Sequence, residues 1–150
     1  MRTLQFLEVI GLAALMMGVA GCSTPAPSTT LSYRMSNHEN GVKLKLNDLT
    51  IVIAGVDYEG GTQGQILVSK SHKIGGGKND RSGGLEIQSD HGIATVIVQK
   101  GEGDSATYLT FTIEDAVKRL SYGNDSYAMD DGPKTIVIAE DGTASLQSSE

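Results

Sequence analysis

The chain has one cysteine in 150 residues, so no intramolecular disulfide can form whatever the redox state of its surroundings. Tryptophan is absent, phenylalanine occurs twice, and the formal net charge is −6. A chain this acidic lacks the surplus of Lys and Arg that neutralises phosphates, which argues against nucleic-acid binding. Three histidines, His38, His72 and His91, show neither the i, i+4 pairing nor the H-x-H alternation of a dense metal site. No serine stands in a G-x-S-x-G elbow, and paired acids for glycoside chemistry are defined by spatial separation rather than by sequence spacing. These gaps point away from an enzyme and call for no cofactor. The chain also lacks a long apolar run. Its longest, from Val9 to Ala20, is about a dozen residues, too short for a helix crossing a ~30 Å hydrocarbon core.

What that run does fit is the h-region of a signal peptide. Arg2 precedes it and small residues follow it. At the expected cut, Val19-Ala20-Gly21-Cys22 resembles the lipobox of bacterial lipoproteins. The resemblance covers about the first 25 residues and implies that residues 1–21 are removed and Cys22 is acylated. A further implication of the family is that Ser23, directly after the cysteine, favours the outer membrane in a Gram-negative cell. The competing readings are an ordinary secretory cut near Ala20-Gly21 and an uncleaved anchor. Residues 22–30, uncharged and rich in Ser and Pro, have the composition of a tether. Removing Arg2 and Glu8 leaves the net charge at −6. Residues 31–150 suffice for one domain with a real core.

Within that domain the dominant period is two, that of a strand. Val42, Leu44 and Leu46 alternate with lysines, and Leu49, Ile51 and Ile53 follow Asn47-Asp48. A two-residue loop at Asn47-Asp48 opposes Leu46 to Leu49, Leu44 to Ile51 and Val42 to Ile53, which sets all six on one face. At the other end, a three-residue loop Glu140-Asp141-Gly142, with positive φ at the glycine, opposes Ile138 to Ala144 and Ile136 to Leu146. Further strands are expected over 65–71, 85–89, 93–100 and 106–113, with Asp90-His91-Gly92 and residues 101–105 as turns. Ile113, Ala116, Val117 and Leu120 have helical spacing, with Thr112 as a candidate cap, and predict one short helix near 113–122. The expected fold is mainly β, an antiparallel sandwich or barrel of about eight strands. Three strands share a Thr-Ile/Val-Val/Ile-Ile/Val pattern at 50, 95 and 135. Their unequal spacing and unlike flanks argue for shared burial rather than a repeat.

Two loops invite a functional reading. Residues 70–81 carry Lys70, Lys73, Lys78 and Arg81 against Asp80 and form a candidate surface for an anion or an acidic partner. Gly75-Gly76-Gly77-Lys78-Asn79 lacks the hydroxyl residue that follows a P-loop lysine, which excludes a nucleotide site. Residues 123–132 gather Asp125, Asp130 and Asp131 without the spacing of a calcium loop, a weak calcium candidate. The leading expectation is a non-enzymatic, lipid-anchored envelope module that contacts another envelope component. The alternatives are a small-ligand carrier with a cavity inside a barrel and, more weakly, an envelope hydrolase.

Overall fold

The computed structural model of the protein describes residues 29–58, 60–75 and 84–147. Among them are twelve strands: β1 Thr30–His38, β2 Gly41–Leu46, β3 Leu49–Ala54, β4 Gly61–Leu67, β5 His72–Ile74, β6 Leu85–Asp90, β7 Ile93–Lys100, β8 Thr107–Glu114, β9 Arg119–Tyr122, β10 Asp125–Ala128, β11 Lys134–Ile138 and β12 Ala144–Gln147. They form two six-stranded sheets, in the orders β12-β11-β3-β2-β1-β4 and β10-β9-β8-β7-β6-β5. The architecture is a sandwich with free edge strands, and the barrel alternative falls away. Strand β4 lies beside β1, giving the spatial order 4-1-2-3 of a Greek key. Strands β5 to β10 each pair with their sequence neighbours. The chain then returns to the first sheet, where β11 lies parallel to β3.

Alternation makes these strands two-faced. On β2 and β3 every second residue (Val42, Leu44, Leu46, Leu49, Ile51 and Ile53) is at most 1% exposed, and they oppose one another in the expected register. Asn47 takes positive φ in the connecting turn, and its side-chain oxygen accepts the backbone N–H of Ser32. The register Ile136↔Leu146 and Ile138↔Ala144 also holds, with Gly142 at φ +85°. His91 and Gly92 both have positive φ between β6 and β7, the geometry of a type I′ hairpin. The inward faces of the two sheets meet in one cluster around Leu44, Ile51, Val96, Phe111 and Ile136. Ser89 is the one buried polar residue among those described, and its hydroxyl donates to the Lys70 carbonyl at 2.9 Å.

The expected helix is not there. Ile113 and Leu120 are directly opposed across the β8–β9 hairpin, and the loop between them contains the other two apolar residues. A four-residue hairpin loop separates its first inward pair by seven positions, which matches two turns of a helix. Spacing alone could not distinguish the two. Asp115, Ala116 and Val117 instead take φ of +54°, +57° and +65°, and Lys118 N–H bonds the Glu114 carbonyl at 3.2 Å. Left-handed backbone costs an L-residue about 1–2 kcal/mol. Exposed Ala116 should therefore tolerate glycine well: Ala116→Gly is expected to raise stability by about 0.5–1 kcal/mol in urea unfolding, after the added freedom of the unfolded chain is subtracted. In a helix the same change would cost about 1 kcal/mol, so the sign of the measurement distinguishes hairpin from helix.

The count of about eight strands was low because β1, β5, β9 and β10 were missed, and β4 runs from Gly61 to Leu67 rather than over 65–71. Gly64 disguises β4. It is needed there because the Tyr33 hydroxyl lies across it, where an added Cβ would meet the oxygen at 2.5 Å. At the N-terminal side, Thr30 begins β1 and the Thr29 carbonyl accepts the Val68 N–H at 3.0 Å. The last two residues assigned to the tether thus belong to the domain.

Candidate functional site: an open groove on the edge of the second sheet

The sandwich has two distinct ends. Thr29, where the chain enters, is bonded to Val68, whose carbonyl in turn accepts the Gly92 N–H. This end also carries the Asn47-Asp48 turn, the 115–118 loop and the β10–β11 connection. At the far end lie the β1–β2, β3–β4, β7–β8, β9–β10 and β11–β12 connections, tied across the sheets where Lys100 Nζ donates to the Glu140 carbonyl and the Tyr122 hydroxyl to the Gly142 carbonyl. Among the described residues the far end is acidic: Glu39, Asp57, Glu102, Asp104, Asp125, Glu140 and Asp141 stand there, with Lys100 as the lysine among them.

Near the chain-entry end, on the edge of the second sheet, an open concavity of about 710 Å³ is lined by Ser71, His72, Lys73, Gln88, Ser89, Asp90, His91, Ile93 and Thr95. Strand β5 pairs His72 with Ser89 and Lys73 with Gln88, while the tight β6–β7 turn swings His91 over the same edge. Asp90 is the hub. Its Oδ1 accepts the Ser71 hydroxyl at 2.6 Å and stands 2.6 Å from His91 Nδ1. The Ser71 bond first, and the adjacent His91 after it, hold the Asp90 carboxyl below its ordinary range against an opposing cost of desolvation. The stability it lends is present above the ordinary carboxylate pKa and is lost as pH falls through the depressed value. Lys73 bridges Glu86 at 3.2 Å, and the Glu86 carboxyl is held low by its bond from Gln88 first and by Lys73 after that.

The order of the three side chains bears on what chemistry the groove can do. In a nucleophilic triad the histidine stands between serine and carboxylate. Here the carboxylate of Asp90 stands between Ser71 and His91, so His91 is not placed at the Ser71 hydroxyl as a triad histidine would be. Ile93 is 50% exposed at the groove floor, an apolar contact beside two histidines and a lysine.

Of the four basic-loop residues, Lys70 and Lys73 are exposed at this edge, whereas Lys78 and Arg81 lie outside the described residues. So do the segment 1–21, Cys22 and the tether up to residue 28. His72 and His91 meet in the groove; His38 lies elsewhere, beside a second open concavity of about 440 Å³ at the far end that Asp57 and Glu140 also line. The structure does not bring the three acids of the calcium candidate together. Asp125 starts β10 at the far end, whereas Asp130 and Asp131 follow the strand at the chain-entry end, with the length of β10, about 10 Å, between them. Asp131 is paired with Lys134, which holds its carboxyl low. Among the described residues no group of three His, Cys, Asp or Glu could hold a metal ion. Sequence reading missed Ser71 and Ile93 as groove residues. The only signal for them was their nearness to Lys70 and to the Asp90-His91-Gly92 turn. No family model, no curated protein and no solved structure matches the chain.

Proposed function

We propose that the protein is a lipid-anchored, non-enzymatic binding module of the cell envelope, held through Cys22 and contacting another envelope component at the groove edge of the second sheet. The observation that carries this reading is the groove itself: an open surface where Lys73, His72, His91 and exposed Ile93 converge, with exposed Lys70 just before it in the chain. Support for the anchor comes from Val19-Ala20-Gly21-Cys22 and the Ser/Pro-rich residues after it, and Ser23 favours the outer membrane if the cell has one. A carrier would need an enclosed cavity of several hundred Å³. Both concavities described above are open to solvent, and the inward faces pack on each other. Changing Lys70, Lys73, Lys78 and Arg81 together to Ser is expected to weaken crosslinked capture of the partner in intact envelopes about tenfold or more. The melting temperature should fall by no more than a few degrees, because an exposed ion pair such as Lys73–Glu86 contributes about 0–1 kcal/mol. Undiminished capture by the quadruple variant would remove the groove edge from the reading.

A further inference from the structure

The outer face of the first sheet has a charge composition unlike the rest of the chain. The strands β1, β2, β3, β4, β11 and β12 contain no carboxylate at all. Their buried residues are apolar. Their outward residues include Arg34, Lys43 and Lys45, all exposed, with Arg34 directly opposite Lys45 and Ser36 opposite Lys43. The ion pairs among the described residues, Lys73–Glu86, His91–Asp90, Arg119–Glu114, Arg119–Asp115 and Lys134–Asp131, leave these three cations out. The neighbouring outward positions Thr50, Val52 and Val137 are uncharged. By contrast, the outer face of the second sheet interleaves Glu86, Asp90 and Glu114 with Lys73 and Arg119. In a chain of net charge −6, three cations left out of those ion pairs, on strands without a carboxylate, form a local field of opposite sign to the whole, bounded by Glu39 and Asp48 in the turns at either end of β2.

We propose that this face is a docking surface for anionic lipid headgroups, with Arg34, Lys43 and Lys45 as its contacts. The inference rests on the membrane anchor proposed above and adds an orientation to it. Residues 22–29 reach at most about 28 Å when extended. They lead directly into β1 of this sheet, and Arg34 lies only about 13 Å further along that strand. An anchored domain therefore holds this face within reach of the bilayer surface. Laying this face on the bilayer brings Arg34, Lys43 and Lys45 down together and puts Glu86, Asp90 and Glu114 of the second sheet on the side away from it. It also leaves the groove of the second sheet on the opposite side, free for a partner. Basic residues beside an anionic leaflet gain an attraction that salt screens.

The test uses the mature chain from Cys22 onward, with its sole thiol alkylated by one 14-carbon chain, an anchor that by itself binds only marginally. Flotation then compares neutral phosphatidylcholine vesicles with vesicles containing 30% phosphatidylglycerol. Three contacts predict partitioning about a hundredfold stronger on the anionic vesicles. The gain should vanish in high salt and in Arg34→Ser/Lys43→Ser/Lys45→Ser, and persist in Lys70→Ser/Lys73→Ser. A circular-dichroism melt shows whether each variant is folded. Equal partitioning of the wild type on both vesicles overturns the proposal. So does a gain that survives the triple change or disappears with the Lys70/Lys73 pair. A face protected in native envelopes but indifferent to vesicles would belong to an acidic protein instead, and also overturns it. Because the acyl chain is attached chemically, a negative result does not bear on whether cells acylate Cys22, which intact mass decides separately.

Discussion

Phe111→Ala is expected to lower stability by about 3–5 kcal/mol, a large part of the 5–15 kcal/mol typical of a whole domain. Phe111 is fully buried at the centre of β8, opposite Val96, and stacks on Tyr122 with ring centroids 5.0 Å apart. Removing it takes away transfer free energy and leaves a cavity that two packed sheets cannot easily close, since their backbones are tied by ladder hydrogen bonds on both sides. For a domain of this size the thermal midpoint should fall by about 15 °C. Tyr108→Ala on the same strand is the control. Tyr108 has the opposite parity and is 64% exposed, so its loss should stay within about 0.5 kcal/mol. Urea unfolding of both variants measures the difference. If Phe111→Ala cost no more than Tyr108→Ala, the inward face of the second sheet would not be the one containing Phe111.

The second large effect concerns attachment. Under the proposed anchor, the wild-type protein lacks residues 1–21, carries diacylglycerol on Cys22, and partitions into the detergent phase. Cys22→Ala should leave an uncleaved, unlipidated precursor and abolish that partitioning, because each buried methylene contributes about 0.8 kcal/mol and two or three chains are lost together. Intact-mass measurement of protein from the cell envelope is sufficient. A free thiol on Cys22, or a chain that keeps residues 1–21, ends the lipoprotein reading.

Both hairpin registers were readable in advance for the same reason. Val42, Leu44 and Leu46 have to face Leu49, Ile51 and Ile53 once the loop is two residues long, since a slip by one residue would turn every lysine inward. The same parity fixes Ile136 and Ile138 against Leu146 and Ala144. At 113–120 local spacing does not discriminate, because a four-residue hairpin loop and two helical turns put apolar residues at the same separations. Only the opposition of Ile113 and Leu120, with three residues at positive φ between them, separates the two. Glycine concealed β4, since its place in the strand depends on the Tyr33 side chain 31 positions earlier.

The likeness of Thr50–Ile53 to Thr135–Ile138 has a tertiary meaning that the sequence could not supply. The two segments lie parallel and in register, Thr50 against Thr135 and Ile53 against Ile138, while the third such segment sits in the interior of the other sheet. All three are flanked by strands on both sides, where β-branched residues pack well.

The groove and the cationic face were invisible for a related reason. Lys43 and Lys45 could be read as outward, but nothing local says that Arg34 stands opposite Lys45 or that no carboxylate joins them. Nor does it say that Asp90 bonds a serine nineteen residues away. The sequence by itself determined the elements whose constraints are short-range: strand period, turn length, parity and the N-terminal motif. Tertiary structure alone decided sheet membership, the parallel return of β11, and which charges share a face. Alternation has the same period in either sheet, so it states which residues turn inward without stating what lies beside them.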